Sequence, residues 1–410
     1  MVIVDDLKAL TRPQRAAFFA ALLGWTLDAF DFFLLVFLLK AIATDFHSKV
    51  SDVSEALFLT LALRPLGALV FGWLADRFGR RPVMMIDVGL YSVLAFASSF
   101  APDLSTLLIL RAAFGFAMGG EWGIGASLTM ESIPPKSRGL ISGVLQEGYA
   151  LGYLLAAGAY WLLGDHLDWR WFLRLSIIPA LLIIYIRLQV PESPAWEAHR
   201  DHPDAKKGFG FGWLAKRWPL VLYAMVMMTA FNLFSHGAQD LYPTFLKVQR
   251  HFTADQVGPL TIVANLGAII GGVLFGVLSE RIGRRRAIVL AALFALPAIP
   301  LWAYSATPLL LGVGAFMIQI AVQGAWGVVP AHLNELSPDE ARGVFPGLVY
   351  QLGNLAASRV GVWQTQYAEA NGNDYASALA YLIGGVALLI AVIVFFGPEA
   401  RGKVFGRPAT

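Results

Sequence analysis

The chain has 410 residues, of which 57% are hydrophobic and 14% charged, with a net charge of +3 and no cysteine. A soluble domain carries roughly 25% charged residues, so there is too little charge here to cover a water-facing surface, and most of that surface must face lipid. Missing cysteine excludes disulfides, thiolate metal sites and cysteine nucleophiles, and the slight basic excess forms no stripe with interleaved aromatics that would argue for a nucleic-acid partner.

A helix needs roughly 20 apolar residues to cross the hydrocarbon core. Runs of that kind fall at 16–40, 54–75, 83–101, 104–131, 138–163, 171–190, 218–246, 258–280, 287–305, 308–334, 342–367 and 376–398. The predicted architecture is therefore an all-α membrane protein with six spans in each half. The first run is too long for a signal-peptide core. It carries Asp28 and Asp31 one turn apart. Two neighbouring carboxylates repel, which favours proton uptake; the alternative is an internal salt bridge to Arg64 or Arg111.

In the second span Arg64 lies about 12 residues from the span's end, roughly 18 Å along the helix and close to the midplane. A charge there costs on the order of 3 kcal/mol, so it needs a reason. Its guanidinium fork fits a carboxylate bidentately, or it partners Asp28 or Asp31. The span ends in Gly72-Trp-Leu-Ala-Asp76-Arg77-Phe-Gly79-Arg80-Arg81. Gly276-Val-Leu-Ser-Glu280-Arg281-Ile-Gly283-Arg284-Arg285 repeats it 204 residues on, and the same offset relates Gly120 to Gly324, Trp122 to Trp326, Glu131 to Glu335 and Arg138-Gly139 to Arg342-Gly343. A chain that repeats at half its length in apolar surroundings is two copies of one membrane bundle.

Span 4 contains Glu121, a candidate proton carrier, and Arg111, read as structural. Span 5 contains Gln146 and Tyr149. Gly115-x-x-x-Gly119 and Gly148-x-x-x-Gly152 let helices approach closely. The polar stretch 192–217 reads as a linker between an N-terminal bundle, 1–191, and a C-terminal one, 218–410. Basic residues such as Lys8, Arg12, Arg15, Arg77, Arg281, Arg286, Arg401 and Arg407 gather on one side, along with Lys206 and Lys207 of the linker. The positive-inside rule then puts both termini in the cytoplasm of a multi-pass cell (inner) membrane protein.

In span 7, Asn232, His236, Gln239 and Pro243 recur at intervals of three and four and share one helical face. His236 can bind a carboxylate and carry a proton near neutral pH. Asp240, four residues on, can hold the imidazole or take the proton itself. Asn232 and Ser235 correspond through the repeat to positions 28 and 31, so two polar faces oppose each other. In span 11, Gln351 and Asn354 share a face, and Arg359 is a candidate outer gate. Ser127 and Ser235 lack a triad context, and His332 with Glu335 lacks a third metal ligand. With no phosphate-binding loop either, the expectation is no enzyme, no metal and no cofactor beyond a coupling proton.

The doubled turn and the span count resemble the major facilitator superfamily over essentially the whole chain. In that family the turn, here Gly72, Asp76, Arg77, Gly79, Arg80 and Arg81, links the second and third helices and helps hold the outward-facing state. The run Asn232-Leu-Phe-Ser235-His236-Gly-Ala-Gln239-Asp240-Leu-Tyr-Pro-Thr244 is similar to the Asn-x-x-Ser/Thr-His-x-x-Gln-Asp-x-x-x-Thr signature of fungal-type lactate permeases, in the sialate:proton symporter branch. Trp25-Thr-Leu-Asp28-Ala-Phe-Asp31-Phe and Pro191-Glu192 are also similar to that branch. The resemblance implies a substrate-binding arginine in the second helix and a Gln-x-x-Asn pair lining the path in the eleventh.

The expectation is a monomeric, proton-coupled symporter of a small monocarboxylate, lactate or pyruvate, embedded in a lipid bilayer and working by alternating access. Substrate contacts are assigned to Arg64, Gln146, Tyr149, Asn232, His236, Gln239, Gln351 and Asn354. Proton handling is assigned among Asp28, Asp31, Glu121, His236 and Asp240. The alternatives are a carrier of a larger acid (sialate, shikimate or an aromatic acid), efflux by proton antiport, and a non-transporting receptor on the same fold.

Overall fold

The computed structural model describes residues 10–164, 166–200 and 212–405. Lys8, Arg407 and linker positions 201–211, with Lys206 and Lys207, lie outside the described residues. Twelve transmembrane helices form two pseudo-symmetric bundles. The first bundle comprises α1 (Arg12–Asp45), α2 (Val50–Phe78), α3 (Arg80–Ser98), α4 (Leu104–Met118, then Glu121–Ser132), α5 (Arg138–Gln146, then Gly148–Leu163) and α6 (Trp169–Leu175, then Leu181–Gln189). The second comprises α7 (Gly212–Gln239, then Tyr242–Val248), α8 (Ala254–Ile282), α9 (Arg284–Ile299), α10 (Pro308–Trp326, then Val329–Leu336), α11 (Phe345–Ala357, then Val360–Ala370) and α12 (Tyr375–Phe396).

Several helices run past the apolar stretch that signals them, because polar ends continue into the interface. α1 starts at Arg12, where the Thr11 N–H donates to Gln14 Oε1 at 2.9 Å and Pro13 fills a first-turn position that needs no donor. Ten stretches are long and apolar enough to cross a membrane among the described residues. The two that fall short, α5 and α11, are partners through the repeat, each split near its middle. α7 also breaks, after Gln239. Pro243 has no N–H to offer the Gln239 carbonyl four residues back, so the ladder cannot run through. The polar face read from span 7 is therefore carried by two helical pieces.

The bundles meet at the end that carries the doubled basic turn. Gly79 (φ +106°) and Gly283 (φ +97°) stop α2 and α8 in a conformation that suits only glycine. Asp76 accepts from the N–H groups of Gly343 (2.7 Å) and Val344 (3.2 Å) at the start of α11, and pairs with Arg80 at 2.9 Å. Glu280 does the same across the other seam, accepting from the Gly139 N–H and pairing with Arg284 at 3.0 Å. Arg80 reaches Glu131 (3.0 Å) and Arg284 reaches Glu335 (2.9 Å). Two longer pairs cross between bundles: Arg138 to Glu335 at 3.6 Å and Arg342 to Glu131 at 3.9 Å. The repeat seen in sequence is thus a two-fold ion-pair network in space.

Glycines let this network close. A Cβ on Gly72 would stand 2.7 Å from the Val344 Cα, and one on Gly123 2.7 Å from the Gly347 Cα. Inside the first bundle the limit is tighter still: a Cβ on Gly67 would collide with the Phe116 carbonyl of α4. Gly67→Ala is expected to lower stability by about 1–3 kcal/mol through overpacking. Thermal unfolding of the purified variant checks this, and an unchanged midpoint would show that the α2–α4 contact yields easily.

The C-terminal segment crosses the same end. The Phe405 ring lies 3.7 Å from the Arg138 guanidinium and 4.3 Å from that of Arg342, its repeat partner. Lys403 Nζ donates to the Ser337 carbonyl at 2.9 Å and pairs with Asp339 at 3.0 Å. Burial works against ionisation of Asp339, but Arg342 and Lys403 outweigh it and hold that carboxyl below its usual range.

Candidate functional site

Between the bundles lies a cavity of about 400 Å³, lined from α1, α2, α5, α7, α8, α10 and α11. The glycine-packed ends of α5 and α11 close it on the basic side, and it extends the other way as far as Tyr153, Pro243 and Val360. Arg64 is the one lysine or arginine among its described lining residues. The guanidinium lies 5.4 Å from the Phe32 ring, 3.9 Å from an Asp28 oxygen and 3.3 Å from the Met118 sulfur, while its Nε finds no partner. Asp28 is thus a loose counter-ion that leaves the fork with donors to spare.

Across the cavity, His236 Nδ1 meets Asp240 Oδ2 at 3.2 Å, one turn along α7. Asp240 is half exposed, so the pair opens onto the cavity rather than the core. Gln239 Nε2 reaches both Ser235 Oγ and Gln319 Oε1 at 3.3 Å. Asn232 donates to the Met228 carbonyl at 2.8 Å, which leaves its own oxygen available to a ligand. Gln146 accepts from Trp122 at 3.3 Å, and Tyr149 stacks on Trp25 with centroids 5.5 Å apart. Asn354 joins them from α11. Arg64, Gln146, Tyr149, Asn232, His236, Gln239, Asp240 and Asn354 are therefore brought to one space.

Other sequence-assigned residues lie elsewhere. Gln351 is buried beside the cavity but off its lining, with Oε1 unpartnered. Asp28, Asp31 and Glu121 sit inside the first bundle, where Asp28 reaches the cavity only through Arg64. Among the described residues, neither oxygen of Glu121 meets a hydrogen-bond partner, and Asp31 has Ser176 alone as a nearby hydroxyl. Arg111 is fully buried 3.8 Å from the Phe114 ring, and Arg359 is exposed and off the lining. Gly72, Asp76, Gly79 and Arg80 build the seam described above. Arg77 lies against Trp73 at 5.5 Å, and the Arg80 and Arg81 N–H groups donate to Glu192, at 2.9 and 3.2 Å, which caps the start of α3.

Sequence reasoning passed over Asn265, Gln319, Gln323 and Ser358, all on the lining. The signal for two of them was present, since Gln319 and Gln323 are one turn apart in an apolar span. It also passed over Asp87 of α3 and Glu147 of α5, both buried acids with unpartnered oxygens.

An arginine fork, a histidine–carboxylate pair and a ring of amides surrounded by aromatic walls can hold a small anion and a proton at once. The chain matches the Major Facilitator Superfamily family model over residues 21–359 and 241–409. It is 31% identical over 443 residues to the carboxylic acid transporter protein homolog of Saccharomyces cerevisiae, spanning 99% of this chain and 71% of that one. It is 28% identical to the sialic acid transporter NanX of Escherichia coli, spanning 97% of each. Its fold is like that of the proton:xylose symporter XylE, with a TM-score of 0.78 at 18% identity over 96% of this chain and 98% of that one. Twelve helices in two repeated bundles, the doubled basic turn and the family match together place this chain in the Major Facilitator Superfamily, as a membrane transporter.

Proposed function

We propose that the protein is a proton-coupled symporter of a small monocarboxylate, lactate or pyruvate, working by alternating access. The observation that carries this reading is Arg64, a cavity cation with unspent donors, facing the His236–Asp240 pair. Arg64 binds the carboxylate. Asn232 and Asn354 orient the remainder. The His236–Asp240 pair holds the proton. Similarity to a yeast carboxylic acid transporter homolog supports an acid as cargo. Anion plus proton is neutral, so the loaded cavity can be closed over, whereas a half-loaded one would bury unpaired charge. With the basic end cytoplasmic by the positive-inside rule, a cavity closed at that end is outward-facing.

Proteoliposome uptake of labelled lactate under an imposed pH gradient tests this. Uptake should follow the pH gradient rather than voltage. In His236→Ala, gradient-driven accumulation should fall by at least about tenfold, as expected for losing one charge-assisted contact. Voltage-driven uptake that ignores pH would remove the scheme.

A second reading has its own support. Among the described residues, nine Phe, Tyr and Trp side chains line the cavity, Trp25 through Tyr350, which would suit a flat aromatic acid. Competition separates the two: lactate displaces labelled substrate under the first reading, benzoate under the second.

A further inference from the structure

Glu147 lies at the break in α5, beside the cavity-lining Gln146, and neither the carboxylate site nor the proton pair uses it. It is the top rung of a ladder. Gly139, Gly143 and Glu147 follow at four-residue intervals on α5 and face Gly276 and Gly272 of α8. A Cβ on Gly139 or Gly143 would strike the Gly276 or Gly272 carbonyl, and one on Gly272 would strike Glu147 Oε1. The carboxyl therefore occupies the space that glycine leaves open in the facing helix. It is 6% exposed, and its Oε1 has no partner among the described residues.

Among the described residues, the elements packed around it bring no cation to it. Between Gln256 and Ile282, α8 carries only Glu280 and Arg281, both at the basic end, with Glu280 bound to the Gly139 N–H. α10 carries His332, fully buried, and Glu335, paired with Arg284 and Arg138. α1 contributes Asp28, which faces Arg64, and Asp31. The inner piece of α4 contributes Glu121 and Glu131, the latter bound to Arg80. Lys136 precedes α5, and Arg138 on α5 itself turns to Glu335 and Phe405.

The repeat supplies a comparison within the chain. Gly343, Gly347 and Gln351 form the matching ladder on α11, against α2. There a neutral amide stands for the acid and Ala68 stands for Gly272. The Ala68 Cβ is 3.8 Å from where a Gly347 Cβ would be. The fold thus closes one seam with an amide and the other with a carboxyl. Packing alone does not demand an acid.

We propose that Glu147 is a proton-binding site of the gate at the basic end: its carboxyl must be protonated for the α5–α8 seam to close, and it ionises when that seam parts. A buried, unpaired carboxylate is strongly disfavoured, whereas its neutral acid is tolerated. The side chain meets water from the basic-end compartment only when the seam opens. Acid in that compartment therefore holds the gate shut. Resting on the alternating-access reading above, with that compartment as the cytoplasm, this slows a symporter as its own imported protons accumulate.

The test uses the chain's freedom from cysteine. Ser142, fully buried, accepts from the Ala331 N–H across the seam at 3.1 Å, so Ser142→Cys reports on opening. The full-length protein in liposomes is labelled from the basic side with an impermeant maleimide, at about pH 6 and about pH 8. The same measurement is made with Glu147→Gln added. Dividing one rate by the other removes the thiol's own titration. The ratio should rise about tenfold between the two pH values, because only the glutamate form opens. A flat ratio overturns the proposal and leaves Glu147 a packing residue. Should Glu147→Gln fail to fold, Glu147→Met takes its place under the same criterion, and Glu147→Asp should keep the pH response. Labelling needs no substrate, so failure to transport lactate would sink the substrate reading without touching this result.

Discussion

Arg64→Ala should abolish saturable uptake. Arg64 is the sole lysine or arginine among the described lining residues, and its Nε is unpartnered, so nothing else on the cavity wall can take up a carboxylate as a fork. Truncating one partner of a desolvated charge pair costs about 2–5 kcal/mol, or roughly 30-fold to several thousand-fold in affinity. Binding measured by displacement should weaken by a factor in that range, and gradient-driven accumulation should vanish. Arg64→Lys keeps the charge but loses the planar fork, and should fall between the two. Loss of Arg64 also strands buried Asp28, whose nearest cation it is at 3.9 Å. The double variant Arg64→Ala with Asp28→Asn should therefore recover folded protein without recovering uptake. Near-normal lactate affinity in Arg64→Ala would move the binding site elsewhere.

Asp76→Ala should unlatch the basic end. Asp76 accepts from two backbone N–H groups that open α11 and also holds Arg80. A hydrogen bond to a charged group contributes about 1.5–3 kcal/mol. Losing both N–H contacts removes about 3 kcal/mol from the closed seam, a shift of about 100-fold towards the open form. Basic-side labelling of Ser142→Cys would then accelerate, and uptake would slow because the cavity is seldom presented to the other side. Glu280→Ala should act in the same direction, since Glu280 performs the matching task at Gly139. If labelling in both variants stays at the parent rate, the latch role is wrong.

The fold was legible because a membrane leaves few choices. Apolar length gave the spans, and the recurrence of Asp76–Arg80 as Glu280–Arg284 gave the two-fold. Where the helices break was legible only in part. Nothing local marks the end of the first piece of α5 at Gln146, whereas Pro243 does mark the break in α7. The candidate site was legible where charge forced a reason, at Arg64, His236 and Asp240, which the fold brings to one cavity. Amides are cheaper to bury, so Asn265 gave little signal and the Gln319–Gln323 spacing only a weak one, and only the fold turns them towards the cavity. Facing is likewise what separates Asn354 from Gln351: the same helix and nearly the same face, yet only Asn354 reaches the open space. Glu147 answers to the rule that singled out Arg64, and its place in the proposed gate emerges only against Gly272 of the other half.

The glycine seams carry one more consequence. Where Gly139 meets Gly276 and Gly123 meets Gly347, backbone rests on backbone with almost no hydrocarbon between. Parting these contacts would wet peptide groups rather than methyl groups, so they add little to the heat-capacity difference between a closed and an open seam. At these positions the seam therefore carries less thermal curvature than leucine packing would impose there.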